Sequence, residues 1–226
     1  MILSENPRIE FTCEDNMCLM ARYSDKHFEL AIVDPPYGIG VNHNMGRRKG
    51  DKPSNYKPET WDKIPPSILY FNQLFNISKN QIVWGANHFI ENMARNSSCW
   101  LLWDKGFNKK VSFAQFEMAY TSFKSTAKKF DKNPNLTERI HPTQKPVALY
   151  KWLLQNYAKE GDTILDTHVG SGSIMIACWE LGFDFVGCEL DKDYYEAAIK
   201  RFKEHVQAHP KLFTPKQLTN IQLTID

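Results

Sequence analysis

The chain has 226 residues, 42% of them hydrophobic and 24% charged, with a formal net charge of +2. Such a length suits one domain that closes its core without staples, and the balance is that of a soluble globular protein. No apolar run approaches the ~20 residues a membrane span needs, and no global field advertises a nucleic-acid partner. Local basic clusters stand at 46–52 (GRRKGDK), 105–110 (KGFNKK) and 124–129 (KSTAKK), each either a solvated face or a phosphate contact. The start, MILSENPRIE, lacks the basic-then-apolar order of a secretory signal, so a cytoplasmic location is expected. Five cysteines, Cys13, Cys18, Cys99, Cys178 and Cys188, form no CxxC pair. They predict reduced thiols packed as small apolar groups, with no disulfide framework and no metal site.

In chain order, RIEFTC (8–13) and FELAIVD (28–34) predict strands, the second apolar enough to be buried on both faces. Residues 41–60 show no apolar periodicity and hold several turn formers, which fits a functional lid or a disordered loop. PPSILYFNQLFNIS (65–78) predicts a helix with Ile68, Leu69, Leu74 and Phe75 on one side. Three short strands follow in QIVWGAN, SCWLLWD and FEMAYTSF. PVALYKWLLQNYAK predicts a helix opened by Pro146, with Val147, Tyr150, Leu154 and Tyr157 aligned. DTILD (162–166) is a strand, SIMIACWEL a buried helix stopped at Gly182, and FDFVGCEL a further strand. The last helix, DKDYYEAAIKRFKEHV, puts Tyr195, Ala198, Ile199, Phe202 and Val206 on one stripe. Strands alternating with helices at these lengths predict an α/β fold with a mostly parallel, covered sheet.

Two strand ends carry chemistry. In DTHVGSGS a strand stops at Asp166 and a helix opens after Gly172, with Gly170 and Gly172 free to turn tightly beside a ligand. The next strand ends at Glu189, where a carboxylate meets ribose hydroxyls in nucleoside-binding sheets. A dinucleotide fingerprint wants a third glycine where Met175 stands, and a phosphate loop wants Gly-Lys-Ser/Thr, which is absent. An adenosyl cofactor without phosphates fits better, and S-adenosylmethionine (SAM) is the obvious one.

The other strand end is DPPY, Asp34, Pro35, Pro36 and Tyr37. It resembles the catalytic motif of DNA methyltransferases that act on the amino groups of adenine N6 or cytosine N4. An exocyclic amino group is a poor nucleophile because its lone pair is delocalised into the ring. By this resemblance, Asp34 and the Pro35 carbonyl accept its protons and localise the lone pair, while the prolines hold the carbonyls rigidly. Tyr37 would stack on the extruded base.

Asp34 precedes Gly170, so the expected sheet is circularly permuted, an order that resembles the beta group of DNA amino-methyltransferases over roughly residues 8–205. That group implies a Rossmann-like fold with a mostly parallel seven-stranded sheet and helices on both faces, in a single domain over 1–226. It also implies that Asp15 in CEDNMC lies near the cofactor adenine, and that Thr143 and Lys145 in HPTQKP lie near its methionine end. With Asp166, His168, Gly170, Ser171, Gly172 and Glu189, these form the expected SAM site. The segment 41–60 before TWD resembles the family's mobile loop. His168 departs from the pattern, standing where relatives carry an aromatic after Asp-Pro. Only residues 124–140 and the loop at 41–60 remain for target recognition, so the recognition region at 124–140 is expected to be minimal or absent. Trp84, Asn87 and His88 in VWGANHF stand at a further strand end that borders the expected base pocket, with Trp84 expected in the core and Asn87 as the polar contact.

The expected activity is methylation of adenine N6 in DNA after base flipping. Cytosine N4 is the alternative target. An RNA or protein methyltransferase is a third reading, but such sites often begin with Asn, which meets a neutral amide better than Asp34 does. An idle SAM- or DNA-binding module is opposed by the intact DPPY and GSG. DNA is the expected partner, no membrane is implied, and the resemblance admits a homodimer and a cognate restriction enzyme.

Overall fold

The computed structural model describes residues 1–40, 62, 64–106, 114–134 and 139–210. The expected lid at 41–60, the basic cluster at 46–52 and most of the cluster at 105–110 lie outside these residues.

The apolar run FELAIVD becomes β3 (Phe28–Val33), buried on both faces as expected. β3 pairs in parallel with β4 (Ser78–Trp84) on one side and with β8 (Thr163–Asp166) on the other. β8 continues in parallel to β9 (Asp184–Glu189), and β9 to β2 (Arg8–Cys13). Beyond β4 the sheet turns antiparallel through β6 (Phe116–Thr121) to β5 (Leu101–Asp104). With β1 (Ile2–Glu5) and β7 (Lys128–Asp131) at its edges, the full order is β1-β2-β9-β8-β3-β4-β6-β5-β7.

Among the described residues the sheet therefore has nine strands, not the expected seven. The two additions are its edges, β1 and β7. Each is four residues long with no fully buried position, so neither carries the apolar run that marks a strand in sequence. Short, charged edges such as KKFD also discourage pairing with another chain.

Alternate residues of β3 feed two cores. Leu30 and Ile32 join α4 (Val147–Tyr157), α5 (Ser173–Leu181) and α6 (Lys192–Ala208) on one face. Ala31 and Val33 join α1 (Asn16–Met20), α2 (Ile68–Ile77) and α3 (Ile90–Met93) on the other. Helix α5 is buried from Ser173 to Trp179 and ends at Gly182 with φ +84°, as its composition predicts. The stripe expected on α2 is corrected: Ile68 and Leu69 are exposed, while Tyr70, Phe71, Leu74, Phe75 and Ile77 face the sheet. Ser67 caps the helix by accepting the Tyr70 amide. Three cysteines, Cys99, Cys178 and Cys188, pack as expected, whereas Cys13 and Cys18 are exposed; all are free thiols. No helix among the described residues is long and apolar enough to cross a membrane.

Strand order reverses between β8 and β3: β8 leads through α5 to β9 on one side, and β3 through α2 to β4 on the other. Ligands of open α/β sheets bind outside the carboxyl ends of the strands at such a point.

Candidate active site

Asp34 leaves the carboxyl end of β3 at this reversal, followed by buried Pro35. The Tyr37 hydroxyl donates to Asp34 Oδ1 at 2.8 Å, and its ring lies against the backbone of Gly85 at the end of β4. Gly85 has φ +69°, and a Cβ there would stand 2.0 Å from Tyr37 Cε1, too close for the ring to stay in place. One face of Tyr37 stacks on His88, with centroids 5.1 Å apart and planes 16° from parallel. Asp62 ties the chain back onto the motif by accepting the Gly38 amide at 2.9 Å.

Around Asp34 lies a buried run of charges. Lys145 Nζ sits 2.5 Å from Asp34 Oδ2 and 2.9 Å from Glu117 Oε2. The other Glu117 oxygen is held by Lys105 Nζ at 2.5 Å. Burial alone would raise the Glu117 carboxyl, but the Lys145 and Lys105 ammonium groups outweigh it and hold it down at about 2. For Asp34 burial prevails and pushes the carboxyl up, with Lys145 opposing. Glu117 is the second residue of β6, which runs antiparallel to β4 and so begins at the sheet end where β3 and β4 finish.

The glycine turn lies one strand away. Gly170 and Gly172 have φ of +53° and +75°, open to glycine at little cost. A Cβ on Gly172 would stand 2.8 Å from Met175 Cε, so the residue in the place of a third glycine packs beneath the second. Glu189 Oε2 accepts the Gly170 amide at 2.9 Å, and Oε1 accepts the Asp191 amide at 3.0 Å. Asp166 is buried at the floor; its Oδ1 accepts the His168 amide at 2.9 Å, and its Oδ2 has no hydrogen-bond partner. Burial pushes the Asp166 carboxyl well above the ordinary carboxylate range. His168 is held neutral, burial lowering it to about 4. Its Nε2 accepts from the Asn16 amide at 3.0 Å, and its Nδ1 meets Thr167 Oγ1 at 2.9 Å.

A family model described as DNA methylase, N6_N4_Mtase, matches residues 70–200, more than half of the chain. The chain belongs to this DNA methylase family. Among relatives, the Type II methyltransferase M2.DpnII of Streptococcus pneumoniae is 24% identical over 84% of this chain and 87% of its own. The fold is shared with the M1.HpyAVI–SAM complex (TM-score 0.55, 19% identity, 85% of this chain and 98% of that one). It is also shared with the PvuII DNA methyltransferase described as cytosine-N4-specific (TM-score 0.57, 9% identity, 88% of this chain and 91% of that one).

In this DNA methylase the predicted residues divide by position. Asp34, Asp166 and Glu189 gather at the carboxyl ends of β3, β8 and β9. Asp15 follows β2 at the same end of the sheet, caps α1 by accepting the Met17 amide at 2.8 Å, and adjoins the Asn16–His168 contact. The HPTQKP segment bridges the two halves. Ser173 donates to the Lys145 carbonyl at 2.7 Å, and His141 packs beside Gly170 with its Nδ1 3.0 Å from Thr143 Oγ1. Lys145, expected at the methionine end of a cofactor, sends its ammonium to Asp34 instead. Trp84 is core as expected, whereas Asn87 is exposed and the neighbouring His88 makes the contact with Tyr37. Glu117 and Arg201 carry no expectation from sequence, and Lys105 is expected only as part of a basic cluster; Arg201 donates to the Ser171 carbonyl at 2.7 Å and fixes the glycine turn from α6. An acid inside the apolar strand FEMAYTSF was the one signal available for Glu117, because an unpaired carboxylate is rarely buried.

Proposed function

We propose that this DNA methylase transfers the methyl group of SAM to the N6 amino group of adenine in DNA. The observation that carries the proposal is the pairing of Asp34 and Asp166 at the ends of adjacent parallel strands, with Asp166 Oδ2 buried and unpartnered. A buried acid missing a partner suits a ligand bearing cationic groups, as SAM does in its ammonium and its sulfonium. The turn lacks a third glycine, which fits a cofactor without a pyrophosphate. Asp15, Thr143, Asp166, His168, Gly170, Ser171, Gly172, Glu189 and the backbone of Lys145 would hold it. When bound, the cofactor supplies an electrophilic methyl group.

This chain's own residues then orient the nucleophile. Asp34 and the Pro35 carbonyl accept the amino protons, so the nitrogen lone pair is available in line with the methyl group. Positioned proton acceptance contributes roughly 10²–10⁴-fold. Extruding the base costs a few kcal/mol, and stacking on Tyr37 offsets ~1–3 kcal/mol of that. Basic side chains on the DNA backbone supply the rest. The chain is read as one methyltransferase domain over 1–226, with 124–140 as its reduced recognition region, so selectivity rests on few contacts or on a second subunit. The same carboxylate geometry serves a cytosine N4 amino group, which is the alternative target.

The test is transfer of a radiolabelled methyl group from SAM to DNA, with Asp34→Ala as control, then digestion of the product to nucleosides. N6-methyladenine is expected. N4-methylcytosine would replace the adenine assignment, and absence of label with the wild type would remove the activity.

A further inference from the structure

We propose that Lys145 and Glu117 are positioning residues that jointly set the orientation and the charge of Asp34. Lys145 holds the carboxylate in place, and Glu117 shares the lysine's charge so that Asp34 stays a competent proton acceptor. The proposal rests on the methyl-transfer reading above.

Four charges alternate in one chain, Lys105, Glu117, Lys145 and Asp34, and Lys145 is the most deeply buried of them. The Lys105 side chain is 16% exposed and that of Lys145 only 2%. Buried ion pairs are weak contributors to stability, because desolvation cancels much of their attraction. Packing at this depth would be served as well by apolar groups. What the charges do provide is direction. Asp34 Oδ2 is fixed by Lys145 from the segment before α4, and Oδ1 by the Tyr37 hydroxyl. Each oxygen therefore receives one donor and keeps a further lone pair for an amino group.

Without Glu117 the Lys145 ammonium would serve Asp34 alone. The carboxylate would be a poorer acceptor, its charge answered by a full cation at 2.5 Å. Without Lys145, two acids would face each other in a dry site, and one would take a proton. Glu117 would keep Lys105, so the proton would fall to Asp34 and block it. The groups facing Asp34 are thus Lys145 before α4, Glu117 on β6 and Tyr37 on its own turn, with Asp166 on β8 and Tyr150 on α4 acting from further off.

The two substitutions should act in opposite directions, which a merely structural pair would not do. The readouts are the acidic limb of kcat/KM for methyl transfer and the carbon-13 NMR titration of the Asp34 carboxyl in DNA-free protein, assigned with Asp34→Asn. An opposite charge this near shifts a carboxyl by about 1–3 pH units. Lys145→Met should move both readouts up by about 1 unit or more. Glu117→Gln should move both down, and the double variant should fall between. Lys145→Arg should restore a limb close to wild type while lowering kcat, because the guanidinium keeps the charge and alters the geometry. Single variants that shift the same way, or leave the titration unmoved, would overturn the proposal. If Lys145→Met does not fold, the sign for Glu117→Gln decides alone. A wild type that transfers no methyl group would sink the activity, while the NMR titration would still decide this pair.

Discussion

Ser173 and Lys145 join the two halves of the site: the Ser173 hydroxyl donates to the Lys145 carbonyl at 2.7 Å, while the ammonium of the same lysine grips Asp34. The first turn of α5 is thereby coupled to the end of β3 through one residue. Arg201 braces the junction from α6, donating to Ser173 Oγ at 2.9 Å. Ser173→Ala would leave the buried Lys145 carbonyl without its donor and remove one of the bonds that Arg201 makes, a loss of about 1–3 kcal/mol. The expected result is a lower melting temperature together with a higher KM for SAM and a lower kcat. A rise in KM alone would show that the two halves are uncoupled.

Asp166 and Asp34 should separate binding from chemistry. Asp166→Asn removes the charge that would answer a cation, and weaker SAM binding by about 10–100-fold is expected from a lost charge-assisted contact. Asp34→Asn should leave SAM affinity within a few-fold of wild type and lower kcat by about 10² or more. Calorimetric titration with SAM checks the first, and single-turnover transfer the second. Asp166 also has a pH signature. Its folded-state value is raised above the ordinary 3.8, so wild-type stability falls as pH rises past 3.8. Asp166→Asn escapes that penalty, and without cofactor its melting temperature should gain on wild type as pH rises toward neutrality.

The central sheet and α5 were legible because their side chains carry the pattern: FELAIVD is buried on both faces, and SIMIACWEL ends at a glycine. β1 and β7 were not, since an edge strand of four half-exposed residues is stabilised by its ladder rather than by its side chains. The five-residue α1 is too short to show a helical period in sequence, although its capping residue Asp15 stands out as the acid of a turn. Asp34, Asp166 and the glycines were legible because backbone chemistry at strand ends demands particular residue types. The pairing of Lys145 with Glu117 was not, because it joins positions 28 apart in sequence across two elements, and no local pattern encodes such a meeting.

His168 should register acid. Its folded-state value of about 4 lies below the ordinary 6.5, so the unfolded chain takes up its proton first as pH falls. The stability this residue contributes is present above 6.5 and is lost progressively toward 4. Protonation would also turn Nε2 into a donor facing the Asn16 amide, 3.0 Å away. Other buried groups titrate in the same window, so the difference between wild type and His168→Gln isolates the effect. Chemical denaturation should show that difference shrinking from pH 7 to pH 4. A constant difference would mean that His168 is not held neutral.

Gly85 tests whether Tyr37 needs the backbone beneath it. Alanine there must hold φ near +69°, which costs about 1–2 kcal/mol for an L-residue. Its methyl group would also occupy the place of the Tyr37 ring, which must then swing away from His88 and from Asp34 Oδ1. Gly85→Ala should therefore lower kcat about tenfold or more with SAM affinity unchanged. Tyr37→Phe, which keeps the stack and loses one hydrogen bond to a carboxylate, should lower it less than Tyr37→Ala, since stacking is worth ~1–3 kcal/mol. The decisive comparison is the double variant. If Gly85 acts only by giving room to Tyr37, adding Gly85→Ala to Tyr37→Ala should lower activity no further, because both changes remove one contact. Losses that multiply instead would give Gly85 a role apart from the tyrosine, such as letting the backbone come close to the extruded base.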